Sequence, residues 1–338
     1  MTKTKHKAKR RVPQNFEEWK IWGRRNGGKL FINIVRYLLI LCIGYIILLP
    51  ILQMVSATFT SPDEVGNPVS TWIPSEFSLE HLHVAFITLK YPQALAYTLA
   101  TTAAQVVLQV LSAAITGYAF ARARTKKLKA LFFVVILTIV VPSSVLMLPQ
   151  YIYFRNFDVL GIIKLITGST INLLGKPVTL YLLDIFGMGL KAGLYIYIFR
   201  QFFRGLPREL EEAAHVDGCG FVRTLFSIVM PNAMPGVTTV AVLSFVWNWN
   251  DTYYANLFVG NTLNLMVKLN QISGDMQNSM NMYRSQIPSQ YRFNITSVLY
   301  QNSVLTAASL LVILPLIILY IFVQKRFVES ASNSGIVG

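Results

Sequence analysis

Charge is scarce in this 338-residue chain: Asp, Glu, Lys and Arg make up 13% of it, while 54% is hydrophobic and mean hydropathy is +0.49. A soluble domain carries roughly 25% charged residues, so half that value, with long apolar runs, excludes a soluble protein and predicts an integral membrane one. Cysteine is almost absent. Cys42 in an apolar run and Cys219 in a polar loop are too few for a metal centre and too far apart along the topology for a disulfide. No phosphate-binding loop is present: the one Gly-Lys pair, Gly175-Lys176, has Pro177 after it and no glycine five residues before the first. HExxH, CxxC and GxSxG are missing too, and the four histidines (His6, His81, His83 and His215) lie on tails or loops. Catalysis has no visible home, and neither has a source of energy.

The apolar runs number six, each close to the ~20 residues that cross ~30 Å of hydrocarbon. They cover 31–54, 94–121, 129–153, 177–200, 235–258 and 302–324. A seventh stretch, 159–175, is fairly apolar but contains Lys164, and reads as an interfacial or re-entrant helix. The net charge of +15 sits in short clusters between these runs, a topology signal rather than a nucleic-acid footprint. With the N-terminus inside, the inner segments hold 21 Lys and Arg and the outer loops seven. This predicts both termini in the cytoplasm. The basic stretch of about thirty residues and the full-length first run argue against a cleavable signal peptide. Residues 1–30 form a basic tail, either purely topological or with Phe16, Trp19 and Trp22 laid on the anionic leaflet. Residues 329–338 form a short C-terminal tail, and the long outer loops 55–93 and 259–301 offer surface to an external partner.

Polar groups inside apolar runs are functional candidates because their burial is costly. Asp184 and Lys191 stand seven apart, on one face of the fourth run, with Gly187, Gly189 and Gly193 nearby. Two readings fit: a glycine-broken helix lining a cavity, or a structural ion pair with glycines allowing close packing. In the fifth run, Trp247-Asn248-Trp249-Asn250-Asp251 sets flat aromatic rings beside amides and a carboxylate. That suits a sugar, whose C–H faces stack on rings while its hydroxyls hydrogen-bond; an interfacial aromatic belt fits equally. Ala113, Gly117 and Ala121 recur at the small-residue spacing of close helix packing. Pro142 and Pro149 predict a bend in the third run.

One polar island stands apart, RELEEAAHVDGCGFVRTLFSIVMPNAMP from Arg208 to Pro235. Pro207 and the acidic Glu209, Glu211 and Glu212 predict a helix start. Leu210, Ala213 and Ala214 share a face, and Gly218-Cys219-Gly220 ends the helix. A second short helix should follow, with Val222, Leu225, Phe226 and Val229 on one face, stopped by Pro231 and Pro235. Two short helices at an angle, one with a bare alanine face, predict a plug for another protein.

The register Glu212-Ala213-Ala214, then Asp217-Gly218, then Pro231 resembles the EAA loop of permease subunits in binding-protein-dependent ATP-binding-cassette importers. Gly117 to Arg122 (GYAFAR), Trp72 to His81 (WIPSEFSLEH), FVWNWND and Gln324 to Val328 (QKRFV) look like its carbohydrate branch, the maltose-type inner-membrane component. Cys219 replaces the usual small alanine, and 155–176 is longer than typical. The resemblance covers 30–328 and implies an all-α polytopic protein of the bacterial plasma membrane, with six spans over 31–328 and the EAA loop within 204–234. It implies that Glu212, Ala213, Ala214, Asp217, Gly218 and Pro231 couple this chain to a cytoplasmic ATPase dimer. A second permease subunit and an extracytoplasmic sugar-binding protein complete the assembly; nucleic acid has no part in it. The chain itself binds no cofactor; ATP and magnesium belong to the ATPase. Trp247, Asn248, Asn250, Asp251, Asp184 and Lys191 are the pathway candidates. A permease for a peptide or polyamine, or a membrane scaffold or enzyme, is the alternative.

Overall fold

The computed structural model describes residues 16–66, 73–123, 125–260, 263–291 and 297–334. The side chains of the basic tail, Phe16, Trp19 and Trp22 included, fall outside these descriptions, as do Trp72 and the side chains of 329–338. In chain order the helices are α1 (Phe16–Phe59), α2 (Glu80–Thr88), α3 (Tyr91–Ala121), α4 (Lys126–Val140), α5 (Ser143–Arg155), α6 (Ile162–Thr167), α7 (Val178–Ile185) and α8 (Ala192–Gly205). They continue with α9 (Glu209–Val216), α10 (Phe221–Thr224), α11 (Met230–Asn232), α12 (Met234–Trp249), α13 (Leu265–Gly274), α14 (Met276–Met282) and α15 (Val298–Ser334). Wide π-helical turns occupy Leu225–Val229 and Ala255–Val259. The fold is all-α: among the described residues β-pairing is limited to the isolated bridges Thr60–Phe77 and Phe157–Ile171.

Three helical stretches are long and apolar enough to cross a bilayer: Phe31–Phe59, Tyr91–Ala121 and Val298–Lys325. Two bent pairs raise the number to as many as five. Helices α4 and α5 meet at 103° beside Pro142, whose ring cannot continue a straight helix, whereas Pro149 is absorbed inside α5. The segment Phe221–Asn232 turns 86° into α12. The predicted fourth span, 177–200, adds no single crossing helix, because it is split into α7 and α8. Gly187 (φ +67°) and Lys191 (φ +60°) both take the left-handed conformation at this break. The 159–175 stretch forms the short α6, presenting Leu160, Leu165 and Ile166 outward.

Close helix contacts rest on small residues, as expected for packing without a hydrophobic drive between apolar surfaces. A Cβ at Gly117 would stand 2.7 Å from Phe199 Cβ and 3.1 Å from the Arg200 amide nitrogen, so α3 and α8 meet at that position. Ala113, Ala114 and Tyr118 join Phe199, Phe203, Leu225 and Val229 in one buried cluster at this end of the molecule. A second cluster, with Trp249, Leu265, Met280, Tyr300 and Ala307, holds α2, α12, α13, α14 and α15 together at the other end.

His81 lies fully buried at that second end, its ring centroid 5.0 Å from that of Tyr300. Among the described residues neither ring nitrogen has a hydrogen-bond partner of good geometry. Burial pushes the imidazole pKa down to about 4, and nearby carbonyls of Ala57, Thr58 and Thr60 only partly oppose this. The unfolded chain, with a pKa near 6.5, therefore binds the proton first. The His81 contribution lowers stability as pH falls from about 6.5 to about 4 and is flat on either side. The stability of the purified protein relative to His81→Asn should rise as pH goes from about 4 to about 6.5 and stay constant on either side, as followed by melting curves across that window. At the other end, Gly117→Val should cost about 1–3 kcal/mol of packing and reduce monodisperse protein in detergent. Gly205→Ala, with open space around its Cβ, should not.

Candidate functional site

The polar island folds as a helix seated on the end of α3. Glu209, Glu211 and Glu212 occupy the first turn of α9, where exposed amide groups favour carboxylates. Its end is a Schellman turn: Cys219 N–H donates to the Ala214 carbonyl at 2.9 Å and Gly218 N–H to the His215 carbonyl at 3.0 Å. Gly218 sits at φ +77°, a conformation that glycine reaches without a Cβ clash. The predicted Asp217-Gly218 turn is thus present in the structure.

The predicted alanine face is divided. Ala214 is 2% exposed, turned onto this chain's own core, while Ala213 faces outward with Glu212, Leu210 and Val216. Glu211 sets the phase of α9. Its Oε1 accepts from Arg122 Nε at 2.7 Å and from Nη2 of the same guanidinium, and its Oε2 accepts from the Tyr118 hydroxyl at 3.0 Å. The helix therefore presents Glu212 outward because its neighbour is held inward. A cleft of about 240 Å³ remains between the two helices, lined by Tyr118, Arg122, Arg208, Glu211, Glu212 and His215. Pro231 does not stop the second helix. It lies within α11, and the chain turns afterwards at Ala233. Lacking an N–H for the Ser227 carbonyl, Pro231 is accommodated by the π-helical widening of Leu225–Val229 just upstream.

The pathway candidates separate into buried and exposed groups. Asp184 and Lys191 do not pair, because the α7–α8 break puts them on different elements. Asp184, 1% exposed, folds over Gly189, where a Cβ would lie 2.0 Å from its Oδ1, and accepts from Gln109 Nε2 at 2.6 Å. The other side of the Gln109 amide, Oε1, accepts from Ser244 Oγ at 2.6 Å and Asn248 Nδ2 at 3.0 Å. Asn248 Oδ1 in turn accepts from Gln105 Nε2 at 3.2 Å. These groups tie α3, α7 and α12 together and leave Asp184 and Asn248 no face open to a solute. Lys191 Nζ instead stands 4.5 Å from the centroid of the half-exposed Trp247 ring. Asp251 accepts from the Tyr254 and Ala255 amides at 3.1 and 2.9 Å, capping the segment after α12. Asn250 is exposed, its amide donating to the Val246 carbonyl at 2.8 Å. The sequence reading missed Glu211 and Gln109. Gln109 had a legible signal, a carboxamide in an apolar run.

A chain of bent and broken apolar helices, carrying a polar helix pair held at one end by an ion pair, defines a multi-pass membrane protein. Residues 109–332 match the family described as binding-protein-dependent transport system inner membrane component, and the chain belongs to that family. It is 23% identical over 308 residues to the polygalacturonan/rhamnogalacturonan transport system permease protein YtcP of Bacillus subtilis (strain 168), covering 89% of this chain and 96% of that one. It is 24% identical over 283 residues to the melibiose/raffinose/stachyose import permease protein MelC of the same organism, covering 82% and 88%. A chain in the crystal structure of a bacterial ABC transporter involved in import of the acidic polysaccharide alginate shares the fold. Its TM-score is 0.66 at 20% identity, over 94% of this chain and all of that one.

The ion pair is testable by charge exchange. Arg122→Glu and Glu211→Arg should each destabilise the purified protein, since a charged hydrogen-bond partner left alone costs about 1–3 kcal/mol. The double exchange should recover part of that loss in a thermal double-mutant cycle.

Proposed function

We propose that this chain is one of two permease subunits of an ATP-driven importer of sugars or oligosaccharides, with both termini in the cytoplasm. The observation that carries this reading is α9, an exposed acidic helix clasped through Glu211 to the end of a long apolar helix. Glu212, Ala213 and Val216 form the outward surface, and a cytoplasmic ATPase dimer is the partner that an importer of this family requires. Glu212 meets a basic group of that partner. The left-handed Gly218 fixes where Phe221–Asn232 leaves α9, and Pro231 lies in the second helix of the pair. ATP hydrolysis belongs to the ATPase, with magnesium held there.

Motion follows from the packing. Tyr118 and Arg122 close the last turn of α3, so a displacement of α9 is delivered directly to that helix. Leu225 and Val229 sit in the same buried cluster as Phe199 and Phe203, which carries the displacement to α8. Alternating access then requires two arrangements of these helices, each favoured by a different nucleotide state of the ATPase. An extracytoplasmic sugar-binding protein delivers cargo at the opposite end. The sugar assignment draws on the named cargoes of the relatives and on the uncharged polar surface available in this chain.

Glu212→Lys should abolish uptake in proteoliposomes containing the complete transporter. Gly218→Pro should do the same, because proline cannot adopt φ +77°. Both variants should still insert into the membrane at normal levels. Uptake at the unsubstituted rate in either would contradict the coupling role.

A further inference from the structure

The sequence directs attention to the aromatic and amide run Trp247–Asp251, but most of those polar groups already have partners. Asn248 is bound to Gln109 and Gln105, Asn250 to its own helix, and Asp251 to two backbone amides. Uncommitted groups lie a turn further on. A cavity of about 770 Å³ opens between α5, the segment after α12, α13 and α15. Tyr151 and Tyr253 supply two phenol rings, and Asn256, Asn270 and Ser273 supply polar groups. Tyr253 is 77% exposed, and Asn256, Asn270 and Ser273 are exposed as well. Among the described residues none of these polar side chains has a hydrogen-bond partner, in contrast to Asn248 and Asn250.

The size lies in the range of small-molecule sites, roughly 300–1,000 Å³. Its chemistry is selective. Rings beside free carboxamides and hydroxyls match the alternating C–H faces and hydroxyl edges of a pyranose. Among the described residues no Asp, Glu, Lys, Arg or His lines the cavity. A carboxylated sugar brought there would give up part of its hydration against Met147, Leu257, Met266 and Leu269 with no cation to replace it. A lipid tail would instead leave two carboxamides facing hydrocarbon.

We propose that this cavity is a subsite for a neutral oligosaccharide within this chain, and that the cargo is uncharged, in contrast to the acidic polysaccharide of the structural neighbour. This rests on the importer reading above and adds to it the place and the charge class of the sugar.

The test uses the complete transporter, purified without its binding protein, in a Cys42→Ser, Cys219→Ser background carrying Ser273→Cys as a thiol reporter. Millimolar raffinose or maltotriose should slow maleimide labelling of residue 273, while trigalacturonate at the same concentration should not. Adding Tyr253→Ala should raise the concentration that gives half protection about two- to tenfold, and adding Asn270→Leu should also weaken it. Equal protection by the acidic sugar, or none by either neutral sugar, overturns the proposal. A parallel uptake assay with the binding protein separates the two ideas. If saccharide is taken up but residue 273 is not protected, the subsite fails and the importer reading stands. If no saccharide is taken up, both fail.

Discussion

The Glu211 carboxylate is the constraint on which the outward geometry of this protein depends. It accepts hydrogen bonds from Arg122 and Tyr118 at the end of α3, and so fixes both the position and the rotation of α9. A helix of eight residues is too short to be stable alone, so its orientation has to come from outside. A charge-assisted pair at a partly buried junction supplies it. With Glu211 held inward, the adjacent Glu212 must point out, and Ala214 is carried into the core while Ala213 stays at the surface.

The opposite half is governed by a different requirement. In an apolar setting every polar group needs a partner from the chain itself. Gln105, Gln109, Asn248 and one oxygen of Asp184 meet that requirement with one another, with amide hydrogens running from Gln105 through Asn248 and Gln109 to Asp184 Oδ1, while Asp184 Oδ2 stays buried with no partner among the described residues. Only this orientation of the Gln109 amide works, because a carboxylate can accept but not donate. The same glycines that looked like pathway features make room for the network: Gly189 leaves the space that Asp184 fills. Gln109, Asn248 and Asp184, polar groups inside the apolar runs, therefore act as ties between helices.

Much of this was legible in the residues. The all-α character, the acidic helix start, the Asp217-Gly218 turn and the small-residue contact at Gly117 follow from local chemistry, and the structure contains each of them. Which of two adjacent glutamates turns inward did not follow, because the choice is made by Arg122, 89 residues away. The spacing of Asp184 and Lys191 leaves open a glycine-broken helix or an ion pair on one face; the pair needs a continuous helix, and Gly187 to Lys191 end that continuity. Pro231 was read as a stop, yet a π-helical turn absorbs it. In the Trp247–Asp251 run, composition fits a solute site and an aromatic belt equally, while Asn248 is committed by Gln105 and Gln109 far away in the chain and Asp251 by the amides three and four residues on.

The central claim is that α9 and α3 move as one body when the partner ATPase changes state. Distances between spin labels at residues 213 and 119, measured by pulsed electron resonance in the reconstituted transporter, address it directly. The account predicts one unchanged distance in the nucleotide-free and ATP-trapped states, while a second pair, 213 with 273, shifts between them. A 213–119 distance that changes with nucleotide while 213–273 stays constant would contradict it.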